Sequence, residues 1–289
     1  MLTDRNGARF PTIRRLGPAD LEKCAALSVD RGWLPEKSKW LLLLEHAEAF
    51  GIDAPDGGLA GAVVLARYGK DLASVGMMLV AARYGRQGLG RALMEHLLGV
   101  AAGATVTLFA TDVGKPLYEK LGFRTTRRSA AFVGRFRAGR QPRDNSKMRS
   151  RPAMPADMAA ILEVDMTAFG ADRSQVLTRL PGFAEQLRVL ETEAGMAGYG
   201  AAWRNTTSTV IGPVVAANAP GARRLISDLA AQVRGPVRLD LDPDRPELPG
   251  WASAHGLEPV AMTAVMAHGD GNSRGNPDRL FAPISVALA

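Results

Sequence analysis

Arg83-Tyr84-Gly85-Arg86-Gln87-Gly88-Leu89-Gly90-Arg91 is the stretch that decides how this chain is read. It joins an apolar run, Val75 to Val80, to a segment from Leu89 to Ala102. In that segment Leu89, Leu93, Leu97 and Val100 form one helical stripe. Three glycines in six residues let a backbone turn tightly and approach a ligand with no Cβ in the way. The helix that follows offers unpaired N–H groups and the positive end of its dipole. A diphosphate accepts from several such groups at once. Arg83, Arg86 and Arg91 add cationic side chains where such a ligand is most negative. The spacing is not the Gly-x-Gly-x-x-Gly of dinucleotide sites, and no Gly-Lys-Ser or Gly-Lys-Thr follows as in a P-loop. The junction reads as an anion cradle; the plainer alternative is a flexible turn.

Working outward, Pro18-Ala19-Asp20-Leu21 opens a predicted helix through Asp30, with Leu21, Ala25 and Val29 on one face. Trp40 to Phe50 reads as a second helix. Leu59 to Tyr68 and Leu72 to Val80 read as strands joined by Gly69-Lys70-Asp71. Thr105 to Ala110 is a β-branched strand, and Pro116 to Leu121 a short helix. This order predicts a mixed sheet with helices on both faces.

The chain then repeats itself. Arg14, Pro18, Ala19 and Asp20 recur as Arg151, Pro155, Ala156 and Asp157, a displacement of 137 positions. Ala60-Gly61 recurs as Ala197-Gly198, and Gly76 answers to Gly212 with one residue lost. Two copies of one domain are expected: residues 1–136, a polar linker at 137–148, and residues 149–289. A polar stretch, Gly269 to Asp278, precedes an apolar tail, Leu280 to Leu288, expected to dock on the second copy as a strand or short helix.

Met78-Leu79-Val80 through Arg91-Ala92-Leu93 resembles the coenzyme A-binding motif of the GNAT (Gcn5-related N-acetyltransferase) superfamily, a strand running into Gln/Arg-x-x-Gly-x-Gly/Ala. Gly88 and Gly90 stand at its small positions, while Gly85 stands at the Gln/Arg position with Arg86 next to it. Leu117-Tyr118-Glu119-Lys120-Leu121-Gly122-Phe123 resembles the family's closing Leu-Tyr-x-Lys-x-Gly-Phe element. Thr111 and Gly114 replace the Asn and Ala that precede the tyrosine there. The resemblance covers roughly residues 12 to 136.

It implies an α/β fold of two tandem GNAT-like domains, each a mixed, mostly antiparallel twisted sheet flanked by helices. It implies an acyltransferase that moves acetyl from acetyl-CoA to a primary amine of a small molecule, directly and within a ternary complex. The cofactor would lie against Met78, Leu79, Val80, Gly85, Arg86, Gln87, Gly88, Leu89, Gly90, Arg91, Thr111 and Gly114. Tyr118 would be the general acid that protonates the departing sulfur. Trp33 and Trp40 would border the acceptor, although core packing explains them equally well. No general base is singled out among Glu45, His46, Asp71 and Asp112. Alternatives are acetylation of a protein lysine or N-terminus, and an acyl-CoA sensor without turnover.

In the second copy, Ala219-Pro220-Gly221-Ala222-Arg223 replaces the glycine loop and Ala252 replaces Tyr118. It reads as a degenerate GNAT-like domain. This layout, with Asp-Arg-Leu-Phe-Ala at 278–282, is similar to bacterial two-domain GNAT proteins.

Hydrophobic residues at 46% and charged residues at 22% are ordinary for a globular protein. No run approaches the roughly 20 apolar residues of a membrane span, and Met1 to Phe10 lacks the apolar core of a signal peptide. The single Cys24 excludes an internal disulfide and a cysteine metal cluster. A cytoplasmic protein without a metal or a membrane partner is expected. The net charge of +7 is spread along the chain rather than gathered in one run, which disfavours nucleic acid as a partner. Oligomeric state is not legible.

Overall fold

The computed structural model describes residues 12–139, 148–269 and 275–288. Most of the expected linker, 140–147, lies outside the described residues. The first half carries β1 (Ile13–Leu16), α1 (Leu21–Asp30), α2 (Lys37–His46), β2 (Glu48–Asp53), β3 (Leu59–Tyr68), β4 (Leu72–Val80), α3 (Leu89–Val100), β5 (Thr105–Ala110), α4 (Lys115–Lys120) and β6 (Arg124–Gly134). The second carries β7 (Arg149–Pro152), α5 (Met158–Phe169), α6 (Ser174–Leu177), α7 (Leu180–Phe183), β8 (Gln186–Thr192), β9 (Gly195–Arg204), β10 (Thr209–Ala216), α8 (Ala219–Ala230), β11 (Val237–Leu241), α9 (Pro249–Ala254), β12 (Leu257–His268) and β13 (Leu280–Ala282).

Two local expectations are corrected. The helix expected over Trp40 to Phe50 stops at His46, where Ala47 turns to extended backbone. Phe50, Gly51 and Ile52 form the middle of β2 instead, which suits an aromatic and a β-branched residue around a glycine. Val29 is 57% exposed, while Cys24, Ala25, Leu27 and Ser28 are buried, so α1 presents a different stripe from the one expected.

The conserved geometry of the repeat explains why Arg14, Pro18, Ala19 and Asp20 come back. Arg14 donates to both Asp20 carboxylate oxygens (3.0 and 2.7 Å), and Asp20 also accepts the Gly17 N–H. Arg151 holds Asp157 in the same way (2.6 and 2.8 Å), and Asp157 accepts the Met154 N–H. Each pair ties an opening strand to the helix after it. The prolines sit at the first position of a short 3₁₀ turn, where a missing N–H costs nothing.

Among the described residues, thirteen strands form one sheet in the order β1-β2-β3-β4-β5-β12-β6-β11-β10-β9-β8-β7, with β13 attached to β10. The halves exchange their last long strands. β12, from the second half, lies beside β5, and β6, from the first, lies beside β11. β6 and β12 pair with each other at the centre. The spatial halves therefore do not follow the linear division at 137–148.

Three apolar cores hold this sheet. One lies between α3 and the first half's strands, built on Leu93, Met94, Leu97 and Leu108. A second lies under α8, built on Leu225, Ile226 and Leu229. The third, on the opposite face, is shared by the halves: Trp40 and Leu43 meet Ile161, Tyr199 and the tail residues Ile284 and Leu288.

Candidate active site

β4 and β5 run parallel and pair only from Leu72–Val75 against Thr105–Leu108, after which they splay. A register shift opposite Ala62–Val64 gives Met77 a left-handed φ of 51°. From Gly76 to Val80, β4 therefore has no strand on its β5 side, and its backbone groups there face a cleft.

The glycine loop closes one end of this cleft. Gly88 caps α3 with φ 83°, a conformation that favours glycine, and Arg86 also lies at φ 61°. The N–H groups of six consecutive residues, Arg86 to Arg91, have no acceptor among the described residues; the first helical acceptor used is Gly88, by Ala92. Gly90 has Met78, Val80 and Leu117 packed within 3.1 to 3.5 Å of where a Cβ would stand, so a side chain there would displace the wall. Asp30, at the end of α1, accepts the Ala82 N–H at 2.6 Å and anchors the loop's start. Arg83 is held by Asp56, and Arg91 by Glu95 (2.7 Å). Of the three arginines predicted here, Arg86 alone lacks a carboxylate partner among the described residues.

Tyr118 stands at the other side. Thr111 organises the turn before it: its carbonyl accepts from Gly114 and Lys115, and its hydroxyl accepts from Gly114 at 3.3 Å. Gly114 is flush against the tyrosine ring, with a Cβ position only 3.0 Å from the ring edge. Phe123 packs on the ring's far side. Burial pushes the Tyr118 hydroxyl up to about 12, so it is a protonated donor at neutral pH.

One cleft of about 580 Å³ brings together Trp33, Met78, Leu79, Val80, Gly85, Arg86, Gly88, Leu89, Gly90, Arg91, Thr111, Gly114 and Tyr118. Two expected site residues are not on its wall. Gln87 points to solvent, reaching only the Arg83 carbonyl at 3.4 Å. Trp40 is fully buried, its indole N–H donating to Ser28 at 2.9 Å, and it belongs to the shared core rather than to an acceptor pocket. Trp33 is 42% exposed at the cleft mouth.

Sequence reasoning missed the tail's part in the site. The tail does dock on the second half, as β13 on β10, but it then crosses to the first half. Val286 and Ala287 line the cleft, and the Tyr68 hydroxyl donates to the Leu288 carbonyl at 2.8 Å. A Cβ at Gly76 would come within 2.6 Å of the Ala287 carbonyl oxygen, and one at Gly212 would collide with the Pro283 carbonyl. The signal was in plain view: a glycine inside each copy's strand, where only close backbone approach calls for one.

The second half has the same frame without the cradle. β10 and β11 pair at two positions only, Thr209–Val237 and Val210–Arg238, and the opening that follows is filled by β13. At the start of α8 the Gly221 N–H is taken by the Asn218 side chain (2.9 Å), Pro220 has none, and the Ala222 N–H goes to the Asn218 carbonyl. Ala252 is buried where the first half has Tyr118.

Comparison with known proteins bears on both halves. Residues 45–125 match one acetyltransferase (GNAT) domain model and residues 161–282 match another. Among curated proteins, the uncharacterized N-acetyltransferase YitH of Bacillus subtilis is 29% identical over 211 residues, 72% of this chain and 73% of that protein. A putative acetyltransferase from Pyrococcus horikoshii superposes with TM-score 0.77 at 20% identity, covering 96% of this chain and 95% of the other. A tandem GNAT protein from the clavulanic acid biosynthesis pathway superposes with TM-score 0.64 at 16% identity, covering 91% and 99%. This chain belongs to the GNAT superfamily and carries two of its domains. Among the described residues no helix is long and apolar enough to cross a membrane.

Proposed function

We propose that the first half uses acetyl-CoA to acetylate the primary amine of a small molecule, and that the second half is degenerate and binds no cofactor. The six unpaired N–H groups of Arg86 to Arg91, at the mouth of a splayed cleft, carry this reading. They fit a diphosphate, whose oxygens accept several bonds together, and Arg86 adds an unpaired cation. When bound, acetyl-CoA supplies the activated acetyl group. The exposed edge of β4 at Met78 to Val80 then orients the pantetheine arm, and a backbone N–H near Leu79 or Val80 steadies charge developing on the carbonyl oxygen. Tyr118, kept protonated by burial, donates its proton to the departing sulfur. Holding donor and amine in one cleft supplies a large part of the acceleration.

Two measurements test this. Titration calorimetry of acetyl-CoA into the full-length protein is expected to show one site, weakened about tenfold or more in Arg86→Glu. The absence of binding to the unmodified protein would end the proposal. Tyr118→Phe is expected to keep that binding and to lose about 10²- to 10⁴-fold in thiol release with an active amine. Unchanged turnover would remove Tyr118 from its role.

A further inference from the structure

The cleft between β4 and β5 passes through the sheet. Val75, Met78, Val80 and Leu89 on its wall belong to the core beneath α3. Met77, Leu79 and Ala287 belong to the core on the opposite face, where α1 and α2 pack. The cradle of Arg86 to Arg91 stands at the α3 end, and Trp33 and Lys39 stand at the other. A chain that starts at the cradle and follows the bare edge of β4 therefore comes out on the face shared by the two halves.

On that face the narrow end of the cleft is already closed. β4 and β5 part after the Val75–Leu108 pair, and Val286 and Ala287 line the cleft there beside Gly76, Leu108 and Phe109. The tail meets β4 backbone to backbone. A Cβ added at Gly76 would stand 2.6 Å from the Ala287 carbonyl oxygen and 2.9 Å from the Ala287 Cα.

The closure is fastened on both sides. The Trp203 indole N–H donates to the Ile284 carbonyl at 3.1 Å, and the Tyr68 hydroxyl donates to the Leu288 carbonyl at 2.8 Å. Between these anchors, Ser285 accepts the Ala287 N–H on its hydroxyl (3.2 Å) and the Leu288 N–H on its carbonyl (3.1 Å). Trp203 and Tyr68 come from different halves, and both are buried. Moving the tail would leave their donors buried without acceptors, which is costly. It is a fixed wall.

One segment thus enters both clefts to different depths. In the second half β13 fills the opening beside β10. In the first half the tail takes only the narrow end, and a cleft of about 580 Å³ remains. Met77, Leu108, Phe109, Val286 and Ala287 give that end an apolar lining suited to hydrocarbon.

Resting on the transferase reading, we propose that Val286 and Ala287 form the end wall of the acyl site, so that the tail restricts this enzyme to short acyl groups. A packed wall yields little to added methylenes. Each one that does not fit is worth roughly tenfold or more in discrimination.

The test is calorimetry on the full-length protein with CoA, acetyl-CoA, butyryl-CoA and hexanoyl-CoA. It is run on the unmodified chain, on Val286→Ala and on the Val286→Ala, Ala287→Gly double variant. The unmodified protein is expected to bind acetyl-CoA about tenfold or more tightly than hexanoyl-CoA. Val286→Ala is expected to recover butyryl-CoA, and the double variant to shrink the hexanoyl penalty about tenfold. Affinity for CoA, which carries no acyl group, is expected to stay unchanged. A gain for longer chains cannot come from a damaged fold. Equal affinity for acetyl-CoA and hexanoyl-CoA in the unmodified protein, or the same preference in all three proteins, would overturn the proposal. Thiol release from acetyl-CoA with a panel of amines reports separately on the transferase reading. A preference that follows the tail without thiol release sinks that reading and leaves the end wall standing; thiol release without the preference does the reverse.

Discussion

The two halves begin alike and diverge where a ligand would enter. Both open with an Arg–Asp pair that clamps a strand to a helix, and both splay two parallel strands. In the first, the opening leads to Tyr118 and to six N–H groups without an acceptor among the described residues. In the second, the chain's own tail lies in the opening as β13, and Asn218 and Pro220 have removed the donors. The lesson is that the scaffold and the cradle are separable. A sheet that splays needs something along its bare edge, and either a ligand or a strand will satisfy it.

The comparison reaches into the opening helices, and there it breaks most sharply. Displaced by 137 positions, Ser28 and Asp165 occupy the same place in α1 and α5. Ser28 simply accepts from the Trp40 indole. Asp165 is a buried anion, paired with Arg173 at 2.5 and 3.0 Å and accepting from Tyr199 at 2.5 Å. Desolvation acts to lower the Arg173 pKa, but the charge of Asp165 outweighs it and the value is raised. Asp165→Ala, which leaves Arg173 buried and alone, is expected to cost about 3–5 kcal/mol. Ser28→Ala is expected to cost about 1 kcal/mol. Urea melts of the two variants check the asymmetry, and equal midpoint shifts would erase it.

Next in size are the paired glycines. Gly76→Ala and Gly212→Ala each push a Cβ into the tail's backbone, at Ala287 and Pro283, for a cost of about 1–3 kcal/mol. Gly76→Ala is also expected to reshape the cleft and weaken acetyl-CoA binding, whereas Gly212→Ala acts on stability alone. Calorimetry alongside denaturation separates the two. An affinity loss in Gly212→Ala as great as in Gly76→Ala would show the tail to be one rigid strap.

The smallest effect sharpens the likeness. Arg151, helped by the Met154 N–H, holds the Asp157 carboxyl down to about 2, and Arg14 lowers Asp20 in the same sense. A lowered carboxylate adds stability above its unfolded value near 4, and loses that stability as pH falls toward the folded value. A modest decline in denaturation midpoint between about pH 4 and pH 2 is expected, reduced in Arg151→Met. A midpoint rising on acidification across that window would contradict it.

Much of the site was legible because its requirements are backbone requirements. Gly88 at φ 83° and Gly90 against Met78 demand glycine, and the chain shows it. Met77 at φ 51° gave no such sign, since methionine rarely marks a left-handed residue. Trp33 and Trp40 look alike in sequence; only the packing of α1 on α2 sends one to the cleft and the other to the core. Strand neighbours were illegible for a different reason. β6 and β12 carry the pattern of sheet strands, but nothing local says which half's edge each will join.

That exchange also orders events during synthesis. When the first half has left the ribosome, the edge of β5 at Val106 to Ala110 is bare, because its partner in β12 is encoded about 160 residues later. Until then a nascent chain displays an open strand edge of the kind that invites wrong pairing. The two halves thus mature together: the shared sheet is not finished before almost the whole polypeptide has been made.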